Sequence, residues 1–205
     1  TKVHIYDRNN RKSLFIMIFI MVLQQLSGIG ILLGQLSRIL ASIGMNLNEY
    51  LQSCLFDFVA VLATFISAFI THFVGPRYMW SFSAFGLCIG LAVYGASLKV
   101  KMDDWIASLG VFIYFLFYGL GEGTIPWFLC GWLFNEDVRI ESAAVNVCEN
   151  FFFFPILHIL WNNLDKGVGQ FGSIVFSLVD CFIAIFCGFL IPVDDSNNDI
   201  GINVI

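Results

Sequence analysis

The sequence predicts an all-α integral membrane protein, a bundle of six membrane-spanning helices, on three observations. Of 205 residues, 59% are hydrophobic and only 12% are charged, where a soluble domain carries roughly 25% charged residues. Mean hydropathy is +0.84, and 23 Phe give more apolar surface than a water-soluble globule can hide. The apolar residues also fall into runs of about 20, the length that crosses a hydrocarbon core about 30 Å thick. Soluble enzyme, nucleic-acid binder and disordered tail are excluded as descriptions of the bulk of the chain.

Residues 1–12 carry Lys2, Arg8, Arg11 and Lys12 and read as a cytoplasmic linker tail; the bundle occupies 13–193. The first span lies between Lys12 and Arg38, where every residue is uncharged. The second runs from about Leu51 to Val74 with Asp57 near its start. Gly75-Pro76-Arg77 ends it, because proline removes a donor and biases the preceding residue away from helix. Tyr78 to Leu98 is the third span, and Lys99, Lys101, Asp103 and Asp104 form a polar loop. Trp105 to Asn135 holds one charge, Glu122, and exceeds a single straight crossing. Gly119, Gly121, Gly123 and Pro126 weaken the backbone ladder there, so the fourth helix is expected to break. Such breaks are tolerated at membrane depth only where the freed backbone is buried in protein or lines a cavity. The fifth span runs from Ser142 to Trp161 with Glu149 and Pro155 inside. The sixth covers Gln170 to Ile191 with Asp180 near its centre, and residues 194–205 form an acidic cytoplasmic tail.

Six spans put both termini on one side. That side carries Arg77 and Arg139 as well as the N-terminal cations, against Arg38, Lys99, Lys101 and Lys166 opposite. The balance favours cytoplasmic termini. The net charge of −5 comes mostly from Asp194, Asp195 and Asp199 and says little about partners. The six Cys lie in apolar runs without C-x-x-C spacing, so they read as small hydrophobes, not as redox or metal sites. The chain begins Thr1-Lys2-Val3-His4 and reads as an internal piece of something longer. Gly30 with Gly34, and Gly86 with Gly90, form small-x-x-x-small pairs that allow close helix approach.

Polar side chains within a bilayer are costly and therefore candidates for function. Gln24, Gln25, Ser27 and Gln35 line the first span, Gln24 and Gln35 being nearly eclipsed at 100° per residue. Amides donate and accept, which suits a neutral polyhydroxylated ligand; glue between helices is the plainer alternative. On the fifth span Asn146, Asn150, Phe154 and His158 recur every four residues, with Asn150 central and His158 read as an interior histidine. Trp127 follows the broken stretch and offers an apolar wall to the C–H face of a sugar ring, or else serves as an interfacial aromatic anchor.

Gln24-Gln25-Leu26-Ser27-Gly28-Ile29 resembles the opening of the seventh helix in sugar porters of the major facilitator superfamily. Ile125-Pro126-Trp127-Phe128, Leu133-Phe134 and Arg139 resemble its tenth helix and following loop. Gly75-Pro76-Arg77 is similar to its turn between helices eight and nine, and Pro192 falls where its Pro-Glu-Thr-Lys-Gly motif begins. The resemblance runs from about Lys12 to Asp195 but covers only the C-terminal half of a family member. It implies helices 7–12 of that fold, as two inverted three-helix repeats. By the same resemblance Gln24, Gln25, Trp127 and Asn150 bind sugar, while Gly75, Arg77, Gly121, Gly123, Pro126 and Arg139 serve gating. Departures are visible: Gly30 and Ala60 stand where sugar-binding Asn residues are usual, Gly119 replaces an acid, Phe151 a second Trp, and Gly34-Gln35 a tyrosine pair. In the cytoplasmic charge network His72, Pro76 and Trp132 replace charged residues, and Val193-Asp194-Asp195 lacks the motif after Pro192.

The expected function is therefore transport of a hexose-like sugar by alternating access, in a multi-pass protein of the plasma membrane. Its expected partners are the sugar, membrane lipid and an N-terminal six-helix half outside this chain, with no nucleic acid, cofactor, metal or enzymatic chemistry. Two rivals are a proton-coupled carrier of another solute, using Glu122, Glu149, Asp180 or His158, and a non-transporting sugar-binding or sensing relative.

Overall fold

The computed structural model describes residues 4–8, 10–30, 32, 36, 48–100 and 102–192, which form helices and no strand. In chain order these are α1 (Arg11–Leu26), α2 (Glu49–Val74), α3 (Pro76–Val100), α4 (Asp104–Leu120), α5 (Ile125–Leu133) and α6 (Glu136–Cys187), followed by a 3-10 turn, Gly188–Leu190. Among the described residues four stretches are long and apolar enough to cross a membrane: Cys54–Val74, Pro76–Val100, Trp105–Leu133 and Glu136–Leu190.

The last of these is not one rod. Its 52 residues of helix would extend about 78 Å at the usual rise, far more than the roughly 30 Å of a hydrocarbon core. Gly169 interrupts it at φ 74°, ψ 168°. The rings of Trp161 and Phe176 meet edge to face at 5.0 Å between centroids, although fifteen helical residues would separate them by roughly 22 Å. The chain therefore doubles back at Gly169, leaving a first arm (136–168) and a second arm (170–187). The first arm begins earlier than the expected fifth span and passes Pro155 without ending.

The turn at Gly75 is as expected. Its φ of 85° suits glycine, its N–H donates to the Thr71 carbonyl at 2.8 Å, and Pro76 opens α3 where a missing N–H costs nothing. α3 and α4 cross with their backbones in contact. A Cβ on Gly90 would stand 2.7 Å from the Tyr114 nitrogen, and one on Gly110 would stand 2.6 Å from the Tyr94 nitrogen. The Gly86–Gly90 pair thus does what its spacing predicts, Gly86 receiving the Phe117 ring. Gly30 does not: a Cβ there would meet nothing within 4 Å, and Gly34, Gln35 and Arg38 lie outside the described residues, as do Lys101, Val193 and the acidic tail.

The second arm runs antiparallel to α3. Lys99 sits over the Phe171 ring at 5.1 Å, Trp80 Nε1 donates to the Ala184 carbonyl at 2.9 Å, and Arg77 donates to the Phe189 carbonyl at 2.8 Å. One apolar core gathers Leu87, Leu91, Tyr94, Tyr114 and Phe115; another gathers Ile20, Trp80, Ala84, Ile125 and Leu129. Outward, α2 exposes Phe58, Phe65, Phe69 and Phe73. Among the described residues the backbone is bonded mostly within helices and the outward face of α2 is apolar, as a bilayer requires. The protein is an integral membrane protein.

Candidate functional site

The candidate region is where α1, the break between α4 and α5, and both arms of α6 meet. α1 stops at Leu26 because Gly28 takes φ 97°, and helical hydrogen bonding resumes with Leu32 N–H donating to the Gly28 carbonyl at 3.1 Å. A Cβ at Gly28 would lie 2.5 Å from Ser177 Oγ, so the second arm presses on this break. The expected continuous polar stripe from Gln24 onward is therefore interrupted at Gly28, and helical periodicity does not carry across it.

Gln24 faces α4, its amide donating to the Tyr118 hydroxyl at 3.2 Å. Ser27 donates to the Gln24 carbonyl at 2.7 Å and meets the Tyr114 hydroxyl at 3.2 Å. Gln25 is buried on the adjoining face. One turn before it, Met21 takes a hydrogen bond from Asn150 Nδ2 to its sulfur at 3.3 Å. Asn146 Nδ2 donates to the Pro126 carbonyl at 2.9 Å, the residue before Trp127. The first arm thus ties α1 at Met21, one turn before Gln25, to the start of α5 at Pro126, the residue before Trp127. Trp127 is 41% exposed there. Gln24 belongs instead to the inner cluster around Ser27.

The glycine-rich break is held from both sides. Residues 121–124 lie between α4 and α5, and the carbonyls freed at Phe117, Gly119 and Leu120 accept from Ser83, Thr64 and Ser67 at 2.7, 3.4 and 2.5 Å. Ser83 Oγ also accepts from the Glu122 N–H at 2.8 Å. The break is buried in protein, as membrane depth demands. Gly121 packs on Ser83 and Met79, and Gly119 packs on Ala60, so Ala60 serves as a close-packing surface.

Several expected residues sit elsewhere. His158 is exposed and stacks on Phe154, itself 44% exposed, while Leu157 and Trp161 take the buried face. A four-residue spacing drifts about 40° per step on a helix of 3.6 residues per turn, which carries His158 away from the face of Asn146. Arg77 caps the end of the second arm through the Phe189 carbonyl and covers the Phe189 ring at 4.9 Å. Arg139 is exposed, and its carbonyl accepts from Ser142 at 2.8 Å. All six cysteines are free, but only Cys130 and Cys181 are buried. Tyr114, Tyr118, Ser67, Ser83 and Ser177 escape a sequence reading that weighs amides and charges; the four-residue spacing of the two tyrosines is the signal that could have found them. One cavity of about 310 Å³ lies between α3 and the second arm, lined by Leu91, Gly95, Lys99, Phe171 and others, and borders none of the expected site residues.

The family described as sugar (and other) transporter matches residues 3–194. The facilitated trehalose transporter Tret1 of Apis mellifera ligustica is 26% identical over 195 residues, covering 92% of this chain and 38% of that protein. Trehalose transporter 1 of Drosophila melanogaster is 25% identical over 193 residues, covering 91% and 22%. The Tret1-2 homologue of Drosophila simulans is 24% identical, covering 91% and 40%. The chain thus spans two fifths or less of the length of these relatives. An all-helical, lipid-facing bundle with a buried break before Pro126-Trp127, matched by the family across nearly its whole length, places this chain in the sugar transporter family of the major facilitator superfamily.

Proposed function

We propose that this chain is the C-terminal, six-span half of a facilitative sugar carrier, helices 7–12 arranged as two inverted repeats. Residues 1–12 and 194–205 are its cytoplasmic tails, the bundle spans 13–193, and the carrier sits in the plasma membrane. It binds a hexose-like unit between Gln25, Asn150 and Trp127, with Gln24 behind them. It carries the sugar down its gradient by rocking against an N-terminal half, the turn at Gly75–Arg77, the break at Gly121–Pro126 and Arg139 serving the gate. Trehalose, named for the relatives, is built of two hexose units and is the first substrate to test.

The observation that carries this reading is the pair of hydrogen bonds from the first arm. Asn146 reaches the Pro126 carbonyl at 2.9 Å and Asn150 reaches Met21 at 3.3 Å, which sets two amides of the first arm between α1 and the start of α5, beside the position of Trp127. Neutral amides beside an aromatic ring match the hydroxyls and the C–H face of a sugar. The test is uptake of labelled trehalose and glucose by proteoliposomes holding the intact protein. Saturable uptake that dissipates with the gradient and falls in Trp127→Ala supports the proposal; uptake equal to that of empty vesicles for both sugars overturns it.

A further inference from the structure

No described side chain fills the groove between α3 and the second arm. It holds about 310 Å³, with Leu91 and Gly95 on one wall and Ile174 and Leu178 on the other. Its floor is where the two helices come closest: a Cβ on Gly95 would stand 3.2 Å from Ile174 Cγ2. Ala92 and Val175, also on its walls, are exposed, so the groove opens outward from the bundle. Apart from one residue its lining is apolar.

That residue is Lys99. It lies in the last turn of α3, where the stretch able to cross a membrane ends. Its ammonium sits over the ring of Phe171, another lining residue, at 5.1 Å. A lysine at a helix end is free to reach for water; here the ring keeps it across the end of the groove. The ion pair found among the described residues joins His4 and Glu141, and no described carboxylate pairs with Lys99. From Lys99 to Leu91 the groove follows α3 for eight residues, about 12 Å at the usual rise. Half of a hydrocarbon core about 30 Å thick contains that length. A single leaflet therefore covers the groove, with the cation at the level of its headgroups and the apolar walls at the level of its tails.

We propose that this groove is a site for one phospholipid, an acyl chain lying between α3 and the second arm and the phosphate held by Lys99. The ammonium donates charge-assisted hydrogen bonds to the phosphate oxygens, and the tail takes the space that the side chains leave open. Free phosphate would leave the apolar walls unused, and a diglyceride or a sterol would leave Lys99 without an anion. Occupancy fastens the second arm to α3 close to the turn at Gly169, where the contact of Lys99 with Phe171 is the tie already present. This is a defined site, distinct from the lipid that coats any spanning helix. It also stands apart from the sugar reading, because none of the residues proposed to bind sugar lines it.

The test is thermal unfolding of the intact protein in detergent with rising amounts of dioleoylphosphatidylcholine, of dioleoylglycerol, or of inorganic phosphate. The expected result is a saturable rise in midpoint of about 3–6 °C with the phospholipid. Dioleoylglycerol, with the same chains and no phosphate, gives a clearly smaller rise, and phosphate alone gives none. Lys99→Gln brings the response to phospholipid down to that of dioleoylglycerol. Ala92→Phe, which fills the groove from its exposed wall, weakens apparent phospholipid affinity roughly tenfold or more. Lys99 is exposed at a helix end, so Lys99→Gln decides the matter should Ala92→Phe not fold. No response to phospholipid, an equal response to dioleoylglycerol or to phosphate, or a phospholipid response unchanged in either variant overturns the proposal.

Discussion

Replacing Gly28 by alanine tests the break in α1 at its tightest point. Two costs add. At φ 97° an L side chain is strained, at about 1–3 kcal/mol. The new Cβ also stands 2.5 Å from Ser177 Oγ and 3.1 Å from Ser177 Cβ. The hydroxyl can rotate away, but the Cβ contact forces a shift of a few tenths of an ångström, about 1 kcal/mol at the low end of overpacking. Gly28→Ala should therefore cost about 2–4 kcal/mol, with a clearly lowered unfolding midpoint in detergent. Ser177→Gly lowers stability by itself as a glycine inside a helix, but in that background Gly28→Ala should cost about 1 kcal/mol less than in wild type, because the steric part is gone and the backbone penalty stays. A Gly28→Ala protein as stable as wild type would mean that α1 runs straight through Ser27 and Gly28, and the account of the cluster beside it would fail.

Trp80 is fully buried and donates to the Ala184 carbonyl at 2.9 Å. Trp80→Phe should cost about 1 kcal/mol for the lost indole hydrogen bond and volume, since the Ala184 carbonyl keeps its bond from the Gly188 N–H, and Trp80→Ala about 3–5 kcal/mol, measured by thermal unfolding. The doubling back of α6 predicts that cysteines at 161 and 176, in a background free of the native cysteines, join through a short bifunctional reagent, since the native rings lie 5.0 Å apart. A continuous helix would hold these positions roughly 22 Å apart and give no cross-link.

The bilayer makes much of this protein legible. Runs of about 20 apolar residues have few other uses, so the long apolar stretches could be found by length alone. The break before Pro126 and the turn at Gly75 were visible because glycine and proline act on the backbone locally. Gly28 escaped because glycine followed by more apolar sequence reads as ordinary packing; the side chain it packs against, Ser177, lies about 150 residues later. His158 was misplaced for a simpler reason, since a four-residue repeat resembles a helical face over two turns and drifts off it over three. The hydroxyls of Ser67 and Ser83 carry no pattern by themselves. Their role is defined by the carbonyls of Leu120 and Phe117, which become free only because the helix breaks between α4 and α5.

For the candidate sugar site, Asn150 and the backbone before Trp127 are held by contacts that the local sequence could only suggest. Asn146 supplies the tie between them, and the spacing had marked it as a neighbour of Asn150 without its bond to the Pro126 carbonyl. Gln24 and Gln25 are adjacent, yet α1 turns them about 100° apart, and only Gln24 meets the Tyr118 hydroxyl. A shared motif thus serves two surroundings, and their substitutions should behave differently.

Equilibrium sugar binding to the intact protein, followed together with thermal stability in Gln25→Leu and Gln24→Leu, tests the central claim most directly. The account predicts weak but saturable binding to wild type. Gln25→Leu should lose roughly ten- to a hundredfold in affinity with folding intact, because a hydroxyl left without its amide costs about 1–3 kcal/mol. Gln24→Leu should lower stability as well, since it removes the bond to Tyr118. Absence of sugar binding to wild type, with Gln25→Leu more stable than wild type, would contradict it and leave the amides as glue between helices.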